Sequence, residues 1–360
     1  MTSHKKLTLY VNPLWRRSGI HSALMNQWWG NPYGDTSLFT KQLFDNYVFN
    51  TELYAITDDI KNADLVFPPY PHVWYLRHDK NLFNECIKTA HESKLPLLID
   101  GTGDVEYKID AQNAYILRYG GYRFINETGR IQIPLYADDL LERCRGGDLK
   151  IRKKSENIPT IGFAGWVNLS VQQHIKTIIK ELPIRFRSLF NSKYQACIKG
   201  TLWRIKTLRI LKRSNLINLN LRARSTFSGS SKTADVDLVM LREQMVETIL
   251  NSDYALDIKG DANNSARLFE ILSLGRIPII IDTERNLPFR DKIDYSSFSL
   301  IVDYRDIKKL PEIITSFHKN ISPQQYEQMQ RNARNAFLNY FRVDACMPLI
   351  VEELRHAKTI

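Results

Sequence analysis

Two kinds of apolar pattern alternate along this chain. Short, mostly apolar runs occur at Leu7–Val11, Leu95–Ile99, Thr160–Trp166 (ending in a small-residue loop), Ile217–Leu221 and Ile277–Ile281. Runs of this length, bounded by turn-forming residues, predict buried strands of a parallel sheet. Between them lie longer stretches predicted to be helical: Lys80–Ser93, Leu169–Leu182, Leu241–Asn251, Pro311–Phe317, Pro323–Phe341 and Cys346–Lys358. Further extended pieces are expected at Ala63–Tyr70, Asn113–Arg118 and Ile131–Leu135. Strand and helix in alternation build right-handed βαβ units, and hence an α/β fold.

The clearest unit is Asn251–Phe289. Tyr254–Ile258 reads as a strand that breaks at Lys259-Gly260, and the loop from Gly260 to Asn264 is rich in turn-tolerant residues. Asn263, Asn264 or Ser265 caps a helix running to about Leu274, where Gly275 is a natural stop. Ligands bind such units where the strand's carboxyl end meets the helix N-terminus. Arg267 falls in the first helical turn, where the macrodipole disfavours a cation. An anion lying there would reverse that cost and draw Lys259 and Arg267 onto one phosphate-sized region. The competing reading is an Arg267–Glu270 ion pair on a solvated face.

Composition bounds the rest. A chain of 360 residues accommodates two ordinary domains. No apolar run reaches the ~18 residues of a membrane span, and the apolar region near the N-terminus is too short for a signal peptide. Cys86, Cys144, Cys197 and Cys346 are widely separated, with neither metal-ligand spacing nor a disulfide framework, which fits a reducing cytoplasm. The formal charge of +11 points to an acidic partner: nucleic acid, an anionic membrane surface or a phosphorylated substrate. Part of the excess lies in Lys199–Arg213, a basic amphipathic helix. It either docks on an anionic leaflet or packs its leucines on the sheet and solvates its cations.

The central stretch resembles the C-terminal part of the exostosin family, glycosyltransferase family 47, and most of all its bacterial members. The matching elements are Ser265, Arg267 and Glu270 on the helix, then Gly275, Ile277-Pro278-Ile279 and the turn Leu287-Pro288-Phe289. Ile293-Asp294-Tyr295, Phe298-Ser299 and Arg305-Asp306-Ile307 follow in order and spacing. Ala63-Asp64 before an apolar run and proline is similar to the family as well. One departure is Asp257, where many members carry a cysteine.

The resemblance implies a GT-B architecture, two Rossmann-like domains facing across a cleft. The expected limits are residues 1–150 for an acceptor domain and 158–340 for a donor domain. Residues 341–360 then form a helix packing back on the first domain. It also implies an inverting, nucleotide-sugar-dependent glycosyltransferase, with a UDP-sugar as co-substrate, a glycan or lipid-linked glycan as acceptor, and no required cofactor or metal. A role in bacterial capsule or lipopolysaccharide synthesis, at the inner face of the cell membrane, follows from the same likeness. No nucleic-acid partner is expected. On this reading Arg267, Lys259 and Arg224 hold the diphosphate, with Gly260, Asn264 and Ser265 adding hydrogen bonds and Glu270 accepting from the ribose. The alternatives are a fucosyltransferase using GDP-fucose, or a non-catalytic sugar- or nucleic-acid-binding protein.

An inverting transfer needs a base to take the acceptor's proton. Asp104 is the first candidate and Asp100 the second, both in the glycine-rich loop Asp100–Glu106 after a strand. Turn chemistry explains that loop equally well. His72, after Pro68-Pro69, competes with them, as does His78, although a lone histidine is often structural. The tryptophans at positions 15, 28 and 29 either stack on acceptor sugars or fill a core.

Overall fold

The computed structural model describes residues 6–103, 105–225 and 237–357. Two parallel sheets, each wrapped by helices, make the molecule (GT-B in type). The first contains β1 (Leu7–Tyr10), β2 (Tyr54–Thr57), β3 (Leu65–Val66), β4 (Leu97–Asp100), β5 (Ala114–Arg118) and β6 (Arg130–Gln132), in the spatial order β2-β1-β3-β4-β5-β6. The second contains β7 (Thr160–Trp166), β8 (Asn218–Arg224), β9 (Tyr254–Asp257), β10 (Ile277–Asp282) and β11 (Leu300–Asp303), ordered β11-β10-β9-β7-β8. Every strand pair in both is parallel. Both orders are doubly wound, so each sheet has a point where the winding reverses: between β1 and β3 in the first, between β7 and β9 in the second.

The helices are α1 (Asn26–Trp29), α2 (Leu38–Asn46), α3 (His72–His78), α4 (Lys80–Ser93) and α5 (Leu140–Arg145) in the first half. In the second they are α6 (Val171–Phe190), α7 (Gly200–Lys212), α8 (Leu238–Leu250), α9 (Ala266–Ser273), α10 (Leu310–Asn320), α11 (Pro323–Ala336) and α12 (Met347–Ala357). Helix α6 runs past the expected end at Leu182 to Phe190, and β8 extends past Leu221 to take in Arg222 and Arg224.

The central unit follows its sequence. All six residues of β10 are buried, as a continuous apolar strand requires. Ser265 is the extended N-cap of α9, and Gly275 ends the turn at φ +59°. A side chain there would be strained and would strike Leu149. Asp257 is fully buried and pairs with Arg285 Nη1 at 2.6 Å.

The two halves share buried contacts. Arg334 on α11 donates to both carboxylate oxygens of Asp139, at 2.7 and 2.9 Å. Asn263 Nδ2 donates to the Gly121 carbonyl at 2.9 Å. Met347, Ile350, Val351 and Leu354 of α12 lie in one apolar cluster with Leu9, Leu65 and Ile99 of the first sheet. Within α7, Trp203, Leu208 and Leu211 are buried against the second sheet, which is the packing alternative for that basic helix. No described helix is long and apolar enough to cross a membrane.

Candidate functional site: an arginine-lined cleft between the sheets

A cleft of about 530 Å³ opens at the carboxyl ends of β7 and β9, where the second sheet reverses its winding. Its floor is Phe163, Gly165 and Trp166 from β7, with Ile258 and the loop Gly260–Ala262 after β9. The start of α9 supplies Asn264, Ser265, Arg267 and Glu270. The first domain closes the far side with Phe39, Thr40 and Leu43 of α2 and with the segment Leu135–Asp138.

Four arginines line this space: Arg204, Arg224, Arg242 and Arg267. Arg267 Nε donates to Glu270 at 3.0 Å, so the i,i+3 pair does form. It lies largely shielded from solvent, though, with side chains 18 and 19% exposed. Arg267 also donates to the Ala164 carbonyl and lies over the Phe163 ring. Arg224 Nη2 donates to the Leu241 carbonyl at 2.6 Å. Burial lowers the Arg224 pKa, helped by the nearby Arg267. Arg242 lies across the Phe39 ring and donates to Asp138 at 3.2 Å.

Arg204 differs from these. Burial and the repulsion of Arg267 lower its pKa to about 10. It makes no ion pair among the described residues, and its buried Nε lacks a hydrogen-bond partner. One turn earlier on α7, Thr201 is 3% exposed and its Oγ1 has no partner either. Two buried polar groups therefore line a cationic cleft without a partner among the described residues, a costly arrangement unless something else bonds to them. The N-terminus of α7 is at the same place: a side chain at Gly200 would meet the Gly260 carbonyl.

Of the residues anticipated for donor binding, Arg224, Gly260, Asn264, Ser265, Arg267 and Glu270 all line the cleft. Lys259 does not. Its side chain turns inward, donating to the Tyr122 hydroxyl at 2.7 Å and the Ala196 carbonyl at 2.8 Å. Burial pushes its pKa down to about 7. Arg204 and Arg242 were missed because the sequence offered α7 only as an amphipathic helix and α8 only as a helix leading into the central unit. Arg204 interrupts the apolar spacing of α7, and that was the available signal.

The candidate bases are placed as follows. Asp100 is 2% exposed and accepts from its own loop, from Thr102 N at 3.0 Å and Thr102 Oγ1 at 2.5 Å. His72 is buried at the start of α3 against Phe83, and burial, with Arg118, lowers its pKa to about 4. Neither lines the cleft. Asp104 lies outside the described residues. The carboxylate on the first-domain wall is Asp138, clamped by Arg143 and Arg242. Among the described residues no cluster of three His, Cys, Asp or Glu side chains could hold a metal ion.

Comparison with known proteins bears on the same segment. Residues 191–317 match the Exostosin GT47 domain. An exostosin-1 homolog of Caenorhabditis elegans is 31% identical over 96 residues, 27% of this chain and 24% of the relative. A protein of Arabidopsis thaliana named as a glycosyltransferase is 38% identical over 81 residues, 22% of this chain and 15% of that one. The chain thus matches less than a quarter of the length of either relative. A glycosyltransferase structure from Rickettsia africae aligns over 99% of both chains at 12% identity, with a TM-score of 0.41. That score is low, and the fold assignment rests on the two sheets themselves. The matched segment contains every cleft residue from Thr201 to Glu270, and over it the chain is exostosin-like.

Proposed function

We propose that this protein is an inverting glycosyltransferase that moves a sugar from a UDP-sugar to a hydroxyl of a glycan acceptor. The observation that carries the reading is the pair of unsatisfied buried groups, Arg204 Nε and Thr201 Oγ1, in a cleft lined by three further arginines. Such a site suits a diphosphate. Arg204, Arg224 and Arg267 neutralise the charge that grows on the leaving diphosphate as the bond to the anomeric carbon breaks. Preorganised cations in a desolvated cleft favour that charge without a metal ion. Ser265, Asn264 and the Gly260 backbone add hydrogen bonds, and Glu270, held by Arg267, faces the nucleoside.

In this reading residues 1–150 hold the acceptor and 158–340 the donor, with 341–360 returning to the first domain. The acceptor oxygen attacks the anomeric carbon from the face opposite the diphosphate and gives its proton to a carboxylate, for which Asp104 is proposed. The acceptor is a glycan or lipid-linked glycan of a bacterial surface polysaccharide.

The test is a thermal-shift panel of UDP, GDP, CMP and ADP, with and without Mg²⁺. Stabilisation by UDP that is lost in Arg204→Ala and Arg267→Ala is expected, about 2.7 kcal/mol at one hundred times Kd. Stabilisation by GDP alone turns the reading to a fucosyltransferase. A shift with none of them overturns it in favour of a non-catalytic sugar- or nucleic-acid-binding protein. Asp104→Asn should abolish turnover and leave the nucleotide shift intact, and EDTA should leave turnover unchanged.

A further inference from the structure

Helix α6 is the most exposed long element of the described fold, and its composition is unusual for such a position. Of its twenty residues only Glu181 is buried. Val171, Ile175, Ile179, Leu182, Phe186, Leu189 and Phe190 are all between 52 and 79% exposed. Their spacing places them in one continuous arc along the helix. A soluble protein rarely leaves an apolar stripe of this length in water without a partner for it.

Charge identifies that partner. Lys176, Lys180 and Arg187 form the edge of the apolar arc on one side, and Arg185 with His174 flanks it on the other. The only acid on the helix, Glu181, points inward and accepts from the Lys199 backbone N–H at 3.1 Å. The outward surface of α6 therefore carries cations and apolar side chains and no anion. Residues 171–213 hold eleven Lys and Arg and one acid, nearly all of the chain's +11. Where α6 meets α7, a second cavity of about 330 Å³ has an apolar floor of Ile178, Leu202 and Trp203 and a rim of Arg185, Lys206 and Arg209.

We infer that α6 lies in the headgroup region of an anionic lipid bilayer, its apolar arc among the acyl chains and its cations against lipid phosphates. A helix with an apolar face bordered by Lys and Arg is suited to that position. The membrane element is then α6, not α7, whose leucines are already used in packing. Four residues separate Trp166 at the cleft floor from Val171 at the start of α6, so the cleft opens near the bilayer. The inference does not depend on the transferase reading.

The test is cosedimentation with phosphatidylcholine vesicles, with and without phosphatidylglycerol, for the wild type and two double variants. One is Phe186→Ser with Leu189→Ser, and the other is Lys176→Gln with Lys180→Gln. The wild type should pellet with the anionic vesicles and be released by salt. The lysine variant should lose partition by about fivefold for each cation removed. The apolar variant should stay in the supernatant. All four positions are exposed, so melting temperatures should match the wild type, and a fall in them is controlled by the single variant Leu189→Ser. A wild type that stays in solution with anionic vesicles overturns the inference, as do variants that pellet as well as the wild type. Self-association in sedimentation velocity that disappears in the apolar variant also overturns it, because a second copy then covers the face.

Discussion

The first and second sheets reverse their winding in the same way, but what fills the two switch points differs. In the first, the segments after β1 and β3 bring aromatic rings together. Trp15 and Tyr70 are fully buried, Tyr10 packs edge-on to Trp15 at 5.6 Å, and Tyr70 stacks on Trp74 at 4.1 Å. The Trp15 indole N–H is satisfied by Glu85 at 2.8 Å. In the second, the equivalent place is open, lined by four arginines, and leaves Arg204 Nε and Thr201 Oγ1 without partners among the described residues. One switch point has become core and the other has been kept as a site. A shared topology supplies the crevice, but the side chains decide whether a ligand can enter it.

The largest effects that separate the two regions are on stability. Trp15→Ala should cost about 3–5 kcal/mol, the range for emptying an aromatic core position, and leave nucleotide affinity unchanged in the folded fraction. A change in affinity there would mean that the first switch point also takes part in the site. Asp257→Ala should cost a similar ~3–5 kcal/mol by stranding the buried Arg285, read from denaturant melts.

On the other side of the comparison, Arg267→Ala should raise the transfer barrier by ~2–4 kcal/mol, measured as kcat/KM. Arg204→Met is smaller and more telling. It should weaken nucleotide binding by about 1.5–3 kcal/mol, the range for hydrogen bonds to charged groups, without lowering the melting temperature of the free protein. A residue built only for stability would give the opposite pair of results.

A separate effect, read as pH dependence, concerns Lys259. Its folded pKa, near 7, lies below the ordinary lysine value of about 10.5, so the unfolded chain binds more protons between those limits. Stability should therefore rise with pH from about 7 toward 10.5, and Lys259→Met should flatten that part of the curve in thermal melts.

Much of the fold was legible because its signals are local. Buried parallel strands such as Ile277–Asp282 are continuously apolar, and the Ser265 cap and Gly275 stop mark α9 within a residue or two. The likeness is carried by Ser265, Arg267 and Glu270, and the structure brings these three into one crevice. Lys259 turns away from that crevice, since adjacency to a loop does not say which way a side chain turns. Asp100 and His72 sit at element ends where chemistry is often found, yet neither lines the cleft: Asp100 accepts from Thr102, and His72 is buried against Phe83.

The sequence by itself determined the α/β class, the strand–loop–helix unit with its ligand-binding end, and the excess of positive charge. Short-range patterning settles these, because apolar period, caps and turn residues act over a few positions. Only the tertiary structure decided that Arg204 and Arg242, on separate helices, meet Arg224 and Arg267 in one cleft. It alone showed that α7 spends its leucines on packing and α6 leaves its own in solvent. Those outcomes depend on which face of each helix finds a partner across the sheet, and no local pattern records that.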